Sequence, residues 1–203
     1  MNSYQQEQID ALNLVTRFLS ELDDERIQLL NQKISPYLHF RKSVDDFLTK
    51  HFSRTCTQTC YQNQRSACCS KDGIITFFGD VLINALCSTS SELQRLAQAV
   101  EAPRQQMKCI FLESVGCLWR IKPAVCVMFI CPSALEEVFS RNPQAKKRWE
   151  ELKALERTFK WPDQPVLFDW LEQFALTFGY QSPLMYMHNS PGLMRVKKKA
   201  GLI

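Results

Sequence analysis

Glycine is scarce in this sequence, with six residues among 203, and histidine scarcer still, with three. So few glycines argue against a Gly-rich phosphate loop, and no GxGxxG, GxxxxGK or GxSxG pattern occurs. The histidines give no Ser/His/Asp or Cys/His catalytic pairing. Long apolar runs are missing too. The longest uncharged one, Pro123 to Leu135, is too short to cross a bilayer. Charge of one sign is not in large excess: 25 Lys and Arg against 21 Asp and Glu leave +4, much of it in Arg195 to Lys199. That is not a nucleic-acid-binding balance. With 45% hydrophobic and 23% charged residues, disordered, collagen-like and low-complexity classes are excluded. The opening Met1 to Gln8 lacks a basic start and an apolar stretch, so no secretory signal is expected and the setting is expected to be the reducing cytoplasm.

What is present in quantity is helical patterning. Ile9, Leu12, Val15, Leu19, Leu22, Ile27, Leu30 and Ile34 recur mainly at three or four, predicting one helix over 5–33. Ser35-Pro36 is expected to break it. A second helix then presents Tyr37, Phe40, Val44, Phe47, Leu48 and Phe52. Ser91 with Gln94 and Ser133 with Glu136 have capping-box spacing. The helix after Ser133 is interrupted at Asn142-Pro143 and resumes to about Lys160. Val166 to Phe178 forms a last amphipathic helix stopped by Gly179. Residues 73–88 are almost continuously apolar and fit a strand or a buried helix, length favouring a buried helix kinked near Gly79. The expected fold is mainly α, an irregular helical bundle over residues 1–180. Residues 181–203 are expected to be an extended basic C-terminal tail.

Nine cysteines stand against this ordinary background. Eight lie in two windows expected to be loops, 54–72 and 104–132. The first is Cys56-x3-Cys60-x7-Cys68-Cys69, the second Cys109-x7-Cys117-x8-Cys126-x4-Cys131. The odd total forbids complete disulfide pairing. Thiolates suit zinc, copper(I) or iron–sulfur clusters, and a bound metal stabilises a polar loop that has no apolar core of its own. Cys56 and Cys60, four apart, would face one side of a helical turn. Adjacent side chains diverge, so Cys68 and Cys69 reach one ion only through a tight turn. Either one of that pair is a ligand and the other supports it, or the two serve different metals. Eight thiols suffice for two four-sulfur sites, or one site with spares. Cys131-Pro132 has the form of the last ligand in some iron–sulfur runs. Cys87, inside Val81 to Leu86, reads as a core residue. His51 is placed as a solvated helix-end residue rather than a ligand, and His188, near Met185 and Met187, as part of a docked tail rather than a copper(I) set.

The later block reads Cys109-Ile110-Phe111-Leu112, then Gly116-Cys117-Leu118-Trp119-Arg120-Ile121-Lys122-Pro123-Ala124-Val125-Cys126. With the Cys68-Cys69 pair it resembles the zinc- or iron-chelating cysteine-cluster proteins, the CxxCxxCC family, which includes bacterial members and is distantly like flagellin lysine methylases. The resemblance covers residues 56–131. It implies Cys109, Cys117 and Cys126 as ligands, joined by members of the first cluster. The chain departs from the pattern in its wider first spacing and in carrying Cys131.

The expected function is therefore metal binding. Two loops would converge to hold an iron–sulfur centre (4Fe-4S preferred) or zinc through Cys56, Cys60, Cys68, Cys69, Cys109, Cys117, Cys126 and Cys131. No catalytic residue is expected. The alternative is an enzyme, protein-methylating or redox, using the cluster beside a substrate pocket. Partners are expected to be the metal or cluster and a further protein, with no nucleic acid and no membrane span.

Overall fold

A computed structural model describes residues 3–62, 68, 74–102, 109–114, 116–160 and 166–203. Among them helices dominate, as the patterning predicts. The first break falls elsewhere than expected. Helix α1 spans Ser3–Ser20 and buries Ile9, Ala11, Leu12, Val15 and Phe18. It ends because Asp23 starts the next helix: its carboxylate accepts the Arg26 N–H at 2.9 Å. Asp24 and Glu25 in the first turn complement the helix dipole. Helix α2 then runs from Asp24 to Phe52, straight through Pro36. An internal proline costs about 3 kcal/mol. Burial on both sides of it offsets that cost, through Leu30 and Ile34 before and Tyr37, Phe40, Val44 and Phe47 after. Sequence spacing alone carries no measure of that packing.

The polar stretch after α2 is not a loop at its start. Ser53–Tyr61 continues as a π-helical segment, closed by a hydrogen bond from Gln62 N–H to the Thr57 carbonyl at 2.9 Å. None of its residues is fully buried, which explains its polar composition. Ile74 to Phe77 are non-helical, and α3 spans Phe78–Cys87. Gly79 serves close approach rather than a kink, since an added Cβ would lie 2.9 Å from Cγ of Phe168. Helix α4, Ser90–Glu101, is capped by Thr89 with Glu92, two residues before the expected Ser91 and Gln94.

The second cysteine window contains a short antiparallel hairpin, β1 (Leu112–Glu113) and β2 (Gly116–Cys117), in the register Leu112↔Cys117 and Glu113↔Gly116. Gly116 has φ +119°. That conformation excludes most side chains. Helix α5 follows at Ala124–Met128 and α6 at Pro132–Phe139. Cys131, not Ser133, is the residue before the first turn of α6, and Pro132 fills the first helical position. Helix α7 spans Pro143–Lys160, and Asn142 Oδ1 accepts the Ala145 N–H at 3.0 Å. Helix α8 spans Leu167–Thr177 and ends at Gly179, φ +80°.

The core forms where α3 packs on α1 and α8, and α7 packs on α2 and α8. Aromatic contacts stitch α2 to α7: Phe40 stacks on Phe159 at 5.4 Å and Phe47 on Trp149 at 5.5 Å.

The segment beyond Tyr180 is not extended. It forms a 3-10 turn, Pro183–Met187, and helix α9, Pro191–Lys199. Leu184, Met185 and Leu193 are buried. Lys197 is fully buried and pairs with Glu172 of α8 at 2.8 Å. Its ammonium also donates to the carbonyl oxygens of Met185 and His188. Within a lysine run that looks solvated, one member faces inward because helical spacing puts Leu193 and Lys197 on one side.

Candidate functional site

Two thiols of the first window stand on an extension of α2. Cys56 and Cys60 sit four apart on the π-helical segment. Cys56 lies within electrostatic reach of the thiols of Cys68, Cys131 and Cys60 and of the Glu137 carboxylate. Residues from three separate stretches of chain therefore influence one another there: the π-helical segment, Cys68, and the start of α6. Cys131 comes from the second window, so the two windows share one group of thiols.

The thiols of this group differ in character. Burial, and next the neighbouring thiols, push Cys56 up to about 11. Cys131 is shifted the other way. The Ser133 hydroxyl lies 3.4 Å from its sulfur, the Ala134 N–H points at it from the first turn of α6, and Cys68 hydrogen-bonds with it. Donors aimed at a sulfur favour its thiolate form.

Cys109 and Cys126 occupy a different neighbourhood. Both lie close enough to Tyr4 of α1 to disfavour its phenolate. The Tyr4 hydroxyl is pushed up to about 12, chiefly by burial, and accepts the Ile74 N–H at 3.2 Å. Cys109 is buried and Cys126 half-buried. Cys117 lies on β2 opposite Leu112. Cys69 falls outside the described residues. Cys87 is half-buried against the core at the end of α3. No disulfide joins any two of the eight described cysteines. Among the described residues, no group of three or more His, Cys, Asp or Glu side chains has the arrangement of a metal site.

The hairpin is anchored from several sides. The Tyr61 hydroxyl, at the end of the π-helical segment, lies 2.7 Å from the Glu113 carbonyl and 2.9 Å from that of Ser114. Arg95 pairs with Glu113 at 2.9 Å, and Arg120 with Glu92 at 3.1 Å. Phe111 and Trp119 pack edge to face at 5.4 Å.

Beneath this region lie polar residues of which sequence reasoning missed Asn84 and Arg41. Asp80 is buried on α3, where its carboxylate accepts N–H groups from Ala124 at 2.9 Å and Phe77 at 3.1 Å. Asn84, one turn on, accepts the Ile121 N–H at 2.9 Å. Arg41 of α2 donates to the Lys122 carbonyl at 2.5 Å and to the Tyr37 hydroxyl at 3.0 Å. The signal was available: two polar residues four apart in an otherwise apolar run share one helix face.

The histidines do not join the thiols. His51, at the end of α2, packs its ring against Phe47 at 4.8 Å. His39 reaches the Ser35 carbonyl on the surface of the same helix. His188 is buried against Asp169 at 2.6 Å.

No family model, curated protein or solved structure matches this chain. The functional reading therefore rests on the residues themselves.

Proposed function

We propose that this chain is a thiolate metal-binding protein of the cysteine-cluster type, working in a reducing cytoplasmic setting. Its metal is an iron–sulfur centre, with zinc as the competing occupant. The observation that carries this reading is the company kept by Cys56: Cys60 and Cys68 from its own window and Cys131 from the other. A tetrahedral metal or a four-iron cluster needs four such soft donors, and these four thiols come from separate segments within electrostatic reach of Cys56. Cys109, Cys117 and Cys126 extend the donor set, and Cys69 stands next to Cys68 in sequence. Closure of a site around these thiols requires their sulfurs to converge further on metal loading, as happens when binding is coupled to folding.

Anaerobic purification, a visible absorbance spectrum and iron and zinc analysis test this directly. The expected result is a brown protein with stoichiometric iron, and loss of that iron in Cys131→Ser. Colourless protein with stoichiometric zinc would move the assignment to zinc. Protein free of both metals, with unchanged stability after chelation, would end the metal reading.

One observation favours the enzyme alternative. A hollow of about 190 Å³ is lined by Tyr4, Glu7, Gln8, Thr76 and Met187 among others. Tyr4 thus borders both this hollow and the Cys109–Cys126 neighbourhood. A small substrate there would sit near thiol-bound metal, and substrate-dependent change in the spectrum of the loaded protein would reveal it.

A further inference from the structure

Three buried polar side chains from two helices converge on one short stretch of backbone. Asp80 holds Ala124, Asn84 holds Ile121 and Arg41 holds Lys122, at 2.9, 2.9 and 2.5 Å. Their exposures are 3%, 0% and 4%. The held stretch, residues 121–124, lies between Cys117 and Cys126. We infer that Asp80, Asn84 and Arg41 are positioning residues that fix the Cys117–Cys126 segment over the core.

The arrangement at Asn84 argues for this most directly. Its side-chain oxygen accepts the Ile121 N–H, while its Nδ2 is buried with no hydrogen-bond partner among the described residues. A buried unpartnered amide is destabilising, and leucine at this site would pack without that cost. What asparagine supplies is an acceptor aimed at the loop. Asp80 is built similarly: one carboxylate oxygen closes the first turn of α3 on Phe77 and the other reaches across to Ala124. The N–H groups of Cys126 and Val127 in turn bond the Pro123 carbonyl at 3.0 and 3.1 Å. The anchored stretch thus runs directly into the helix that carries Cys126. Arg41 reaches the same stretch from the opposite bond type, donating where the others accept. A loop held by both its N–H and C=O groups has little freedom to shift along or across the core.

This inference rests on the metal reading for its purpose, but its test does not need metal. The protein, reduced and chelated, is labelled with iodoacetamide and each cysteine's rate is read by mass spectrometry. In Asn84→Leu, Cys117 and Cys126 should alkylate about tenfold faster, as expected when a bond worth about one factor of ten is lost. Cys56 and Cys60 should keep their rates. Asp80→Asn, which retains an acceptor for Ala124, should protect Cys126 better than Asp80→Ala does. Unchanged Cys117 and Cys126 rates in Asn84→Leu would overturn the inference, and so would an equal rise at every cysteine. Should Asp80→Ala fail to fold, Asn84→Leu and Asp80→Asn still decide it. Metal-free wild type would defeat the proposed function and leave this result standing.

Discussion

Two buried polar centres lie on neighbouring helices of this molecule, and they are built on different principles. At the first, α3 offers Asp80 and Asn84 to backbone N–H groups of the loop at 121–124. At the second, α8 offers Asp169 and Glu172 to basic side chains of the C-terminal segment, the His188 ring at 2.6 Å and the Lys197 ammonium at 2.8 Å. Amide dipoles are fixed and neutral, so the first centre keeps a carboxyl group in the core without a full countercharge in hydrogen-bond contact. The second sets acidic against basic side chains in the core, where removing either partner leaves the other without its partner. The first is therefore expected to respond gradually to pH, and the second to respond sharply to mutation.

The largest effect is expected at the second centre. Lys197→Met takes the cation away from the buried Glu172 carboxyl, for a loss of about 3–5 kcal/mol in urea denaturation at pH 9, where that carboxyl is driven to ionise. Lys197→Met combined with Glu172→Leu should recover most of it, because an apolar pair carries no desolvation cost. Burial pushes Glu172 up to about 8 from 4.5, with Lys197 pulling it back. A carboxyl raised in the fold favours the native state below its unfolded value, and that advantage fades as pH rises through about 8. The single variant should thus be least damaged near pH 5. Equal stability of single and double variants at pH 9 would show that Lys197 does not neutralise Glu172.

Asp80 gives the next effect, and it appears in pH rather than in a single stability value. Burial raises it from 3.8 to about 6, against the N–H groups of Ala124 and Phe77 and the charges of Arg41 and Lys160. The native state holds this proton more tightly than the unfolded chain does. The resulting stability is full below pH 3.8 and is lost as pH rises through about 6. Two pKa units correspond to about 3 kcal/mol. The stability of wild type minus that of Asp80→Asn should fall by about this amount between pH 4 and pH 7, read from urea midpoints. A difference independent of pH would mean that Asp80 titrates as it does in the unfolded chain.

The contrast also separates what the sequence discloses from what it does not. Helix periodicity is a local property, so α8 was legible from apolar spacing, while α1 was legible only as part of one helix over 5–33 and α3 only from the length of its apolar run. The Asn142-Pro143 break was legible too, since an amide cap and a proline act within one turn. Pro36 misled because the packing that carries α2 through it comes from α7, more than a hundred residues away. The C-terminal segment misled because Lys197 looks like its exposed neighbours Lys198 and Lys199; only its partner Glu172 distinguishes it. At the candidate site, the cysteine windows stood out by density alone. Their grouping did not, because nothing in the spacing says that Cys131 joins Cys56 while Cys109 and Cys126 turn toward Tyr4.

A packing change between the two centres tests whether they are mechanically joined. Gly79 on α3 touches the ring of Phe168 on α8, and a Cβ there would sit 2.9 Å from Cγ. Overpacking of this kind costs about 1–3 kcal/mol, and alanine's better helix propensity returns about 1. Gly79→Ala should therefore be destabilised by about 1 kcal/mol. Adding Phe168→Leu should restore part of that loss if the clash is its cause. A Gly79→Ala protein more stable than wild type would mean that α8 yields easily, and that the two centres move independently.

The smallest effect isolates the bond type itself. Asn142 Oδ1 accepts the Ala145 N–H at 3.0 Å at the start of α7, the same kind of bond as Asn84 makes to Ile121. At Asn142 the side chain is partly exposed, so water replaces the lost acceptor. Asn142→Ala should cost about 1 kcal/mol, typical of a helix cap, with no change in any cysteine's alkylation rate. Asn84→Leu removes the same bond where water cannot enter, and its effect should be concentrated at Cys117 and Cys126. If both variants gave the same thermal shift and neither changed cysteine reactivity, burial would add nothing to the bond, and the loop would be held by packing instead of by the polar residues beneath it.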